Sequence, residues 1–551
     1  MCGIWAIIRK NTIVTSFDLN ALNKVKRRGP DSTTIHSDKN YAVAFHRLAI
    51  NDLSVNGNQP FYYSNETHNY ILMTNGEIYT HKLLEKKYDI FPHSRSDCAV
   101  LLPLFIEHKE NFIELCKDLK SCEYAMLIIK QSKFTNEIEF FLSTDTSSVR
   151  PAFYYIDMDK KEIGFSSILP GLSDYSSQVI RFDQKSCLIG KVNYDTNELT
   201  YNVYKYHQSP TKHLIIKTEK DLYNLMERIA NTFMKAVKIR LESDRPISAA
   251  VSGGLDSCAV SAMAAKLLKE DGKLLHTATV SLKGGTDVPY AESHATNINS
   301  IHTTYYVTIE EALSHLDEVI YATGTWDITT IRASVWQFLL AKKIREHTDC
   351  KVVLIGDGAD ECMMGYLSFY SAPNVKDAEK FRNQLLDEIH YFDGLRPDRC
   401  LAYHGLEARV PELDTEFVDL YREIPPELLI PTKDRIEKFL FRETIRTFFP
   451  GLLLPEHEQR KKEAFSDGVS STEKSWFQIC KDYYSEKISD EEFETRHSMT
   501  GVIPLCKESF YYRKKFNEFF GENHSTIPHY WLHPWSGNSD PSARLLKVYN
   551  E

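Results

Sequence analysis

The fold of the C-terminal half is decided by Ile247-Ser-Ala-Ala-Val251, then Ser252-Gly-Gly-Leu-Asp-Ser257, then Cys258-Ala-Val-Ser-Ala-Met-Ala-Ala265. An apolar run, a glycine turn and a helix-forming run predict a strand, a phosphate loop and a helix N-terminus. Two glycines let the backbone approach a ligand, and the exposed helix amides favour an anion. Asp256 does not suit a site for an anion alone. We therefore expect its carboxylate to hold a magnesium ion that accompanies the phosphates.

Strand-like and helix-like segments alternate after this loop. Strands are predicted near residues 275–281, 303–307 and 351–355, and helices near 290–299 and through 309–347. Such alternation predicts a doubly wound, mainly parallel α/β sheet with helices on both faces. Ligands collect at the carboxyl ends of the strands of such a sheet.

A second acidic turn follows one of these strands. Lys351-Val-Val-Leu-Ile355 runs into Gly356-Asp-Gly-Ala-Asp-Glu361, so Asp357 and Asp360 emerge at the edge where Asp256 emerges. Two carboxylates from separate strand ends are suited to share a magnesium ion bound to a triphosphate. A basic run, 460–462, supplies lysines that could neutralise charge on phosphate.

Composition narrows the class of protein. The 551 residues exceed one domain, and 42% hydrophobic residues suffice for large cores. A net charge of −10 with no long Lys/Arg block disfavours a nucleic-acid partner. Eleven cysteines without CxxC pairs suit a reducing compartment. No run has the length of a signal peptide or a membrane span, so we expect a cytoplasmic protein without a membrane partner.

The N-terminus offers a candidate nucleophile. The chain begins Met1-Cys2-Gly3-Ile4, and removal of Met1 would make Cys2 the first residue. An α-amine has a reference pKa of about 8, so it can act as the base for the thiol of its own residue. A cysteine at position 2 is usually only structural. Downstream clusters give it more weight.

Those clusters carry groups that suit a free amino acid as substrate. Arg47 could clamp an α-carboxylate, and Glu77 with Asp97 could accept hydrogen bonds from an α-ammonium group. Asn75 offers a side-chain amide and Gly76 a backbone N–H, which together could form an oxyanion hole. These groups predict thiol attack on a carboxamide.

The first half resembles the glutaminase domain of class II glutamine amidotransferases, an αββα sandwich with an N-terminal nucleophile. The match extends over residues 2–208 through the motifs just named. The resemblance implies a catalytic group of Cys2, Asn75 and Gly76. It also implies glutamine-binding positions at Arg47, Ile50, Asn75, Gly76, Glu77 and Asp97.

The second half, residues 209–551, resembles the PP-loop ATP pyrophosphatases. The resemblance implies magnesium ligands Asp256 and Asp360, and catalytic roles for Asp357 and Lys462. ATP and pyrophosphate positions are implied at Ser252, Gly253, Gly254, Leu255, Asp256, Ser257, Val280, Gly356, Asp357 and Lys462. Aspartate or adenylate positions are implied at Thr329, Thr330 and Arg332.

The whole chain is similar to the glutamine-hydrolysing asparagine synthetases of the B type. This resemblance implies that ammonia from glutamine converts aspartate to asparagine through β-aspartyl-AMP, giving AMP, pyrophosphate and glutamate. It implies Mg²⁺ with ATP as co-substrate, no tightly bound organic cofactor, and small-molecule partners: glutamine, aspartate and ATP. A homodimer is left open.

Departures from the family pattern keep alternatives open. Asp357 replaces a glutamate credited with proton transfer, Gly324 replaces a glutamate, and Glu412 replaces a phenylalanine. A β-lactam-forming synthetase would not need Cys2, and a tRNA-modifying PP-loop protein is disfavoured by charge. A catalytically idle relative is the remaining alternative.

Overall fold

The structure, a computed structural model, describes residues 1–471 and 474–549. Its N-terminal strands are β1 Gly3–Ile8, β2 Ser32–Asp38, β3 Tyr41–Arg47, β4 Phe61–Ser64, β5 His68–Glu77, β6 Glu123–Ser132, β7 Glu137–Thr144, β8 Phe153–Asp157, β9 Glu162–Ser166, β10 Ile180–Arg181, β11 Ser186–Asn193 and β12 Glu198–Lys205. Its N-terminal α-helices are α1 Ser16–Val25, α2 His81–Tyr88, α3 Leu101–Glu107 and α4 Phe112–Asp118.

These strands form two antiparallel sheets of six, in the orders β10-β8-β9-β1-β3-β2 and β12-β11-β7-β6-β5-β4. Side chains alternate along β1, so that Ile4, Ala6 and Ile8 pack between the sheets while Trp5 and Ile7 pack toward α1. Helices α3 and α4 cover the outer face of the second sheet. The predicted αββα sandwich is therefore confirmed.

The C-terminal half is built on one parallel sheet. Its strands are β13 Ile247–Ala250, β14 His276–Ser281, β15 Ile301–Tyr306, β16 Val352–Leu354 and β17 Glu407–Arg409. Its α-helices are α5 Glu219–Ile239, α6 Leu255–Glu270, α7 Val288–Asn297, α8 Ile309–Ser314, α9 Leu316–Thr323, α10 Ile328–His347, α11 Ala359–Met363, α12 Val375–Asp387, α13 Leu395–Tyr403, α14 Thr415–Glu423, α15 Phe439–Phe448, α16 Pro455–Gln459, α17 Phe465–Gly468, α18 Trp476–Lys487, α19 Asp490–Glu494 and α20 Lys507–Phe520.

The sheet order, β15-β14-β13-β16-β17, positions the second site. The chain runs outward from β13 to β15 and then returns to β16 on the other side of β13, which creates a topological switch point. Val352 and Leu354 face a core shared with α5 and α6, whereas Val353 and Ile355 face a core shared with α10. Helices thus cover both faces, and the doubly wound prediction is confirmed.

Strand β17 is the strand of the parallel sheet that sequence patterns did not predict, because three residues are too short for a periodic signal. It pairs with β16 at one edge of the parallel sheet. Within the described ranges, no helix is both long enough and apolar enough to span a bilayer.

Buried ion pairs join the two halves. Arg28 donates from both terminal nitrogens to Asp398, at 2.7 and 2.9 Å. Arg240 donates to Glu123 at 2.7 Å and to Asp414 at 3.0 Å. A buried charge is costly unless it is paired, so the Arg28–Asp398 and Arg240–Glu123 pairs fix how the halves meet, and Asp414 supports Arg240 from within the second half.

Replacement of Asp398 by alanine leaves the Arg28 guanidinium buried without its carboxylate. We expect the free energy of unfolding to fall by about 3–5 kcal/mol, the usual cost of breaking a buried pair. Urea unfolding followed by intrinsic fluorescence measures this loss. The control is Lys160→Ala, which removes an exposed pair with Asp157 and should leave the midpoint unchanged. Equal midpoints for the two variants would contradict the interface role.

Candidate active sites

The predicted nucleophile lies at the start of β1. The Cys2 thiol donates to the Leu48 carbonyl at 3.7 Å, and burial raises the pKa of the thiol. A thiol with a raised pKa needs a base to become a nucleophile. Met1 precedes it here, and its amine lies 3.6 Å from the Glu407 carboxylate of β17. The base role predicted for the Cys2 amine therefore requires removal of Met1.

The predicted oxyanion hole lies at the end of β5, a strand that faces β1 across the interior of the sandwich. Asn75 is fully buried, and neither its amide nitrogen nor its amide oxygen has a hydrogen-bond partner in the described part of the chain. Buried amides are nearly always hydrogen-bonded in proteins. An unpaired donor next to the Gly76 backbone is what an oxyanion site provides before its ligand arrives.

The acceptors predicted for an α-ammonium group lie together. Asn51 donates its side-chain amide to Glu77 at 2.6 Å and to Asp97 at 3.5 Å. Burial and the neighbouring Asp97 raise the pKa of Glu77 well above its ordinary value. Arg409 of β17 lies 3.3 Å from Glu77 and offsets part of this charge. A cationic ligand would therefore relieve electrostatic repulsion between the two carboxylates.

Arg47 is the last residue of β3, and its terminal nitrogens already have hydrogen-bond partners. They donate to the carbonyls of Asn51, Asp52 and Ser54 and to the Asn58 side chain. All four terminal N–H groups thus hold the loop that follows β3. The open bidentate clamp that we predicted is not present in this structure. A carboxylate would have to displace one of these acceptors.

Asp52 organises that loop. Its carboxylate accepts hydrogen bonds from the backbone and hydroxyl of Ser54, at 3.1 and 2.6 Å, and from the Ser94 hydroxyl at 2.7 Å. Burial alone would raise its pKa, but these bonds and one from the Arg95 N–H lower it to about 2. Ile50, another predicted position, accepts a backbone bond from Asp244 at 3.2 Å.

The predicted phosphate loop has the expected conformation. Ser252 and Ser257 hydroxyls lie 3.1 Å apart, and the Ser257 hydroxyl donates to the Gly254 carbonyl at 3.2 Å. Gly254 begins α6 without any side-chain cap, so the first amides of this 16-residue helix remain available to an anion. A Cβ at Gly253 would lie against Tyr290 of α7, and Gly253 does not line the cavity that the other residues of this loop line.

The acidic turn after β16 lies directly against this loop. A Cβ at Gly356 would lie 2.9 Å from the Ser257 backbone nitrogen, so only glycine allows the approach. Asp357 accepts from Gln337 at 3.0 Å and from Arg396 at 3.2 Å, and it lines the same cavity. The switch point therefore brings the two predicted loops together.

The two predicted metal ligands share a lysine that sequence analysis gave no site role. Lys438 is buried and contacts Asp256 and Asp360, the latter at 2.6 Å. Lys462 contacts the other Asp360 oxygen at 2.5 Å. Burial would lower the pKa of Lys462, but Asp360 and Asp256 raise it, so the ammonium stays charged.

These groups fit a hard divalent cation. One oxygen of Asp256 is buried and has no hydrogen-bond partner within the described ranges. Magnesium prefers such carboxylate oxygens, together with phosphate oxygens and water. Asp256 and Asp360 therefore have the carboxylate oxygens that Mg²⁺ requires as ligands.

One of the predicted aspartate or adenylate positions has an unexpected environment. Arg332 forms paired bonds with Glu508, at 2.9 and 2.6 Å, and with Asp540, at 2.9 Å twice. Its charge is therefore neutralised by protein, contrary to our expectation of a group open to substrate. Thr329 lines the cavity, but Thr330 is wholly buried in α10 and does not.

One continuous cavity connects these groups. Val280, another predicted position, lines it from β14, and C-terminal residues Trp531 and His533 form part of its wall. Among predicted nucleotide positions, Gly253 alone is absent from its lining. The lining includes Ser252, Gly254, Leu255, Asp256, Ser257, Val280, Thr329, Arg332, Gly356, Asp357, Asp360, Lys438, Arg460 and Lys462.

Comparisons with known proteins agree with the two-site architecture. The glutamine amidotransferase domain family matches residues 1–216, and the asparagine synthase family matches residues 228–388 and 383–545. Asparagine synthetase [glutamine-hydrolyzing] of Cricetulus griseus is 35% identical over 573 residues, covering 100% of this chain and 99% of that protein. Proteins of the same name from Gallus gallus and Homo sapiens are each 34% identical, over 576 and 573 residues, with the same coverage.

The fold and these matches define a class, the two-domain glutamine amidotransferases with an asparagine synthase domain. The chain belongs to the family of glutamine-hydrolysing asparagine synthetases, and it is an enzyme of that family.

Several groups at the two sites were missed by sequence analysis. Asn51 gave no signal, but Glu407 and Arg409 form an alternating charged pair, Glu-Ala-Arg, that places both charges on one face of a strand.

Two of the departures from the family pattern now have a structural description. Gly324 ends α9 with a φ of 61°, a left-handed conformation that suits glycine, and Glu412 is buried with a raised pKa.

Replacement of Asp52 by asparagine should destabilise the glutaminase pocket in a pH-dependent way. A carboxyl with a folded pKa of about 2 and an unfolded pKa of about 3.9 stabilises the fold by about 2.6 kcal/mol above pH 5. The stabilisation is lost as pH falls from about 4 through 2. Urea midpoints of wild type and Asp52→Asn should therefore differ at pH 7 and converge below pH 4. Exposed Asp159→Asn is the control, and a difference that persists unchanged at pH 3 would refute this assignment.

Proposed function

We propose that this protein makes asparagine from aspartate, with ATP as co-substrate and ammonia released from glutamine. The single observation that carries the proposal is the presence of two complementary sets of functional side chains in one chain. One set includes Cys2, directly before β1, and the unpaired amide of Asn75 at the end of β5. The other joins the phosphate loop to Asp360, because Lys438 contacts both Asp256 and Asp360. Membership of the family supports the same reaction.

At the first pocket, we propose that the thiol of Cys2 attacks the side-chain carboxamide of glutamine. The amine of Cys2, free after loss of Met1, takes the thiol proton, and the amide nitrogen leaves as ammonia. Asn75 and Gly76 donate to the oxyanion that forms. Glu77 and Asp97 hold the α-ammonium group, and Arg47 takes the α-carboxylate by exchanging a loop carbonyl. Water then hydrolyses the thioester to glutamate.

At the second pocket, we propose that the β-carboxylate of aspartate attacks the α-phosphorus of ATP, giving β-aspartyl-AMP and pyrophosphate. The loop 252–257 and the free amides of α6 hold the departing pyrophosphate. Mg²⁺ held by Asp256 and Asp360 would neutralise phosphate charge when bound. Lys462 donates to the same developing charge. Arg332 would reach a substrate only after exchange of Asp540.

Ammonia then attacks the activated carboxyl. Asp357 is proposed to take a proton from the incoming nitrogen, as a glutamate does in the family pattern, and its bonds from Gln337 and Arg396 fix its position. AMP leaves and asparagine forms. Activation is needed because a free carboxylate is a poor electrophile.

The remaining expectations accompany this proposal. A boundary between domains 2–208 and 209–551 is supported by family matches that end at 216 and begin at 228. A cytoplasmic location is supported by eleven cysteines that are all free thiols. Small-molecule partners follow from the reaction. A homodimer stays a prediction.

Cys2→Ala should separate the two half-reactions. We expect it to abolish asparagine formation from glutamine and to retain formation from ammonium, because the second pocket does not contain the thiol. Pyrophosphate and asparagine are measured with aspartate, ATP, magnesium and either nitrogen source. The control is Cys187→Ala, another buried cysteine of the same domain, which should retain both activities. No asparagine from wild type with either nitrogen source would sink the proposed function.

Asp357→Asn should affect amide formation more than activation. We expect asparagine formation to fall about 10²–10⁴-fold while aspartate-dependent exchange of pyrophosphate into ATP is retained, because a general base is lost but not the phosphate loop. Asp357→Glu restores a carboxylate and should stay within about tenfold of wild type. If Asp357→Asn makes the product asparagine at the wild-type rate, Asp357 is not the base.

A further inference from the structure

Three buried side chains behind the phosphate loop form a cluster that the proposed reaction does not use. They are Cys258 of α6, His294 of α7 and His457 of α16, and all three are fully buried. The Cys258 sulfur and one ring nitrogen of each histidine lie within 4.8 Å of one another. The two imidazole rings pack edge to face, with centroids 5.3 Å apart.

Hydrogen bonds assign the free nitrogen of each ring. His457 Nε2 lies 2.9 Å from the Tyr290 carbonyl, which can only accept, so Nε2 carries the hydrogen. His294 Nε2 lies 2.9 Å from the Ser261 hydroxyl, and that hydroxyl already donates to the Ser257 carbonyl at 2.6 Å. Ser261 therefore accepts from His294. Both rings are left with a lone pair on Nδ1.

Those two Nδ1 atoms are buried and have no hydrogen-bond partner among the described residues. Two unpaired acceptors in a protein interior are costly, because each has lost its hydrogen bond to water. The arrangement of the opposite nitrogens is typical of metal-binding histidines, which donate their other ring N–H to a carbonyl or similar acceptor.

We propose that Cys258, His294 and His457 bind one zinc ion through the thiolate and the two Nδ1 atoms. Zinc favours sulfur and imidazole ligands, with bonds of about 2.3 and 2.0–2.1 Å. Such bonds put ligand atoms roughly 3.5 Å apart, so ligand atoms that lie up to 4.8 Å apart must approach one another by at most about 1.3 Å. Binding releases the proton of the Cys258 thiol. Magnesium, which requires oxygen ligands, is excluded from this set.

The site would fasten together the elements that form the phosphate pocket. Cys258 directly follows Ser257, and Tyr290, whose carbonyl fixes His457, packs against Gly253. Arg460 follows His457 by three residues and stacks on the Tyr290 ring at 4.1 Å. Zinc would therefore fix the segment leading to Lys462 against the phosphate loop, as a structural site distinct from the proposed magnesium ligands.

Zinc titration of the metal-stripped full-length protein, in competition with a chromogenic chelator, tests this proposal. Excess magnesium is present to occupy Asp256 and Asp360. We expect one zinc ion per wild-type chain and a rise in Tm of about 3 °C. Cobalt substituted for zinc should give a sulfur-to-metal charge-transfer band. A stoichiometry of zero, or cobalt binding without that band, would overturn the site.

The variants are chosen to remove ligands and to preserve the fold. Cys258→Ala removes the thiolate, and Cys480→Ala is the control at another fully buried cysteine of the same domain. His457→Gln keeps a donor for the Tyr290 carbonyl and removes Nδ1. We expect Cys258→Ala and His457→Gln to weaken zinc binding at least 100-fold and to lose the cobalt band, with Cys480→Ala unchanged. Equal zinc affinity in wild type and Cys258→Ala would refute the proposal.

Discussion

The contact between β17 and the glutaminase pocket is the constraint on which the two-site architecture depends. Arg409 bonds Glu407 at 2.9 Å and lies 3.3 Å from Glu77, while Glu407 lies 3.6 Å from the N-terminal amine. The side chains of Arg409, Glu407 and Glu77 are all buried. Removal of any one of them would leave the charge of a partner unpaired in the protein interior, which solvates charge poorly. The edge strand of one domain is thereby part of the wall of the other domain's pocket.

Strand β17 is also connected to the second site, through its neighbour β16. Residues of β17 pair with β16, and β16 leads within three residues to Asp357 and within six to Asp360. The residues that contact Glu77 and the acidic turn therefore belong to, or directly follow, two adjacent hydrogen-bonded strands. Arg150 strengthens this attachment, because it donates to Glu123 at 2.8 Å and to the Ala408 carbonyl at 2.7 Å. Such geometry favours transfer of a small product between fixed sites.

Sequence patterns predicted what depends on local order and failed where distant segments meet. The strand, loop and helix around Ser252 are encoded by adjacent residues, and parallel strand ends bring Asp256 near Asp360. The partners of Arg332 lie 176 and 208 residues away, and Lys438 lies 182 residues from Asp256. No periodicity relates such positions. The carbonyl partners of Arg47 depend on the path of the loop that follows β3, which no local pattern predicts.

We propose that ammonia formed at Cys2 is used at the phosphate loop without release to solvent, and this proposal has a direct isotopic test. Wild-type protein is given aspartate, ATP and magnesium, with glutamine labelled by ¹⁵N at the amide and a large excess of unlabelled ammonium. Mass spectrometry then measures the labelled fraction of asparagine. If ammonia passes internally between the sites, the labelled fraction of asparagine will be well above the labelled share of total free ammonia. A fraction equal to that share would contradict internal transfer.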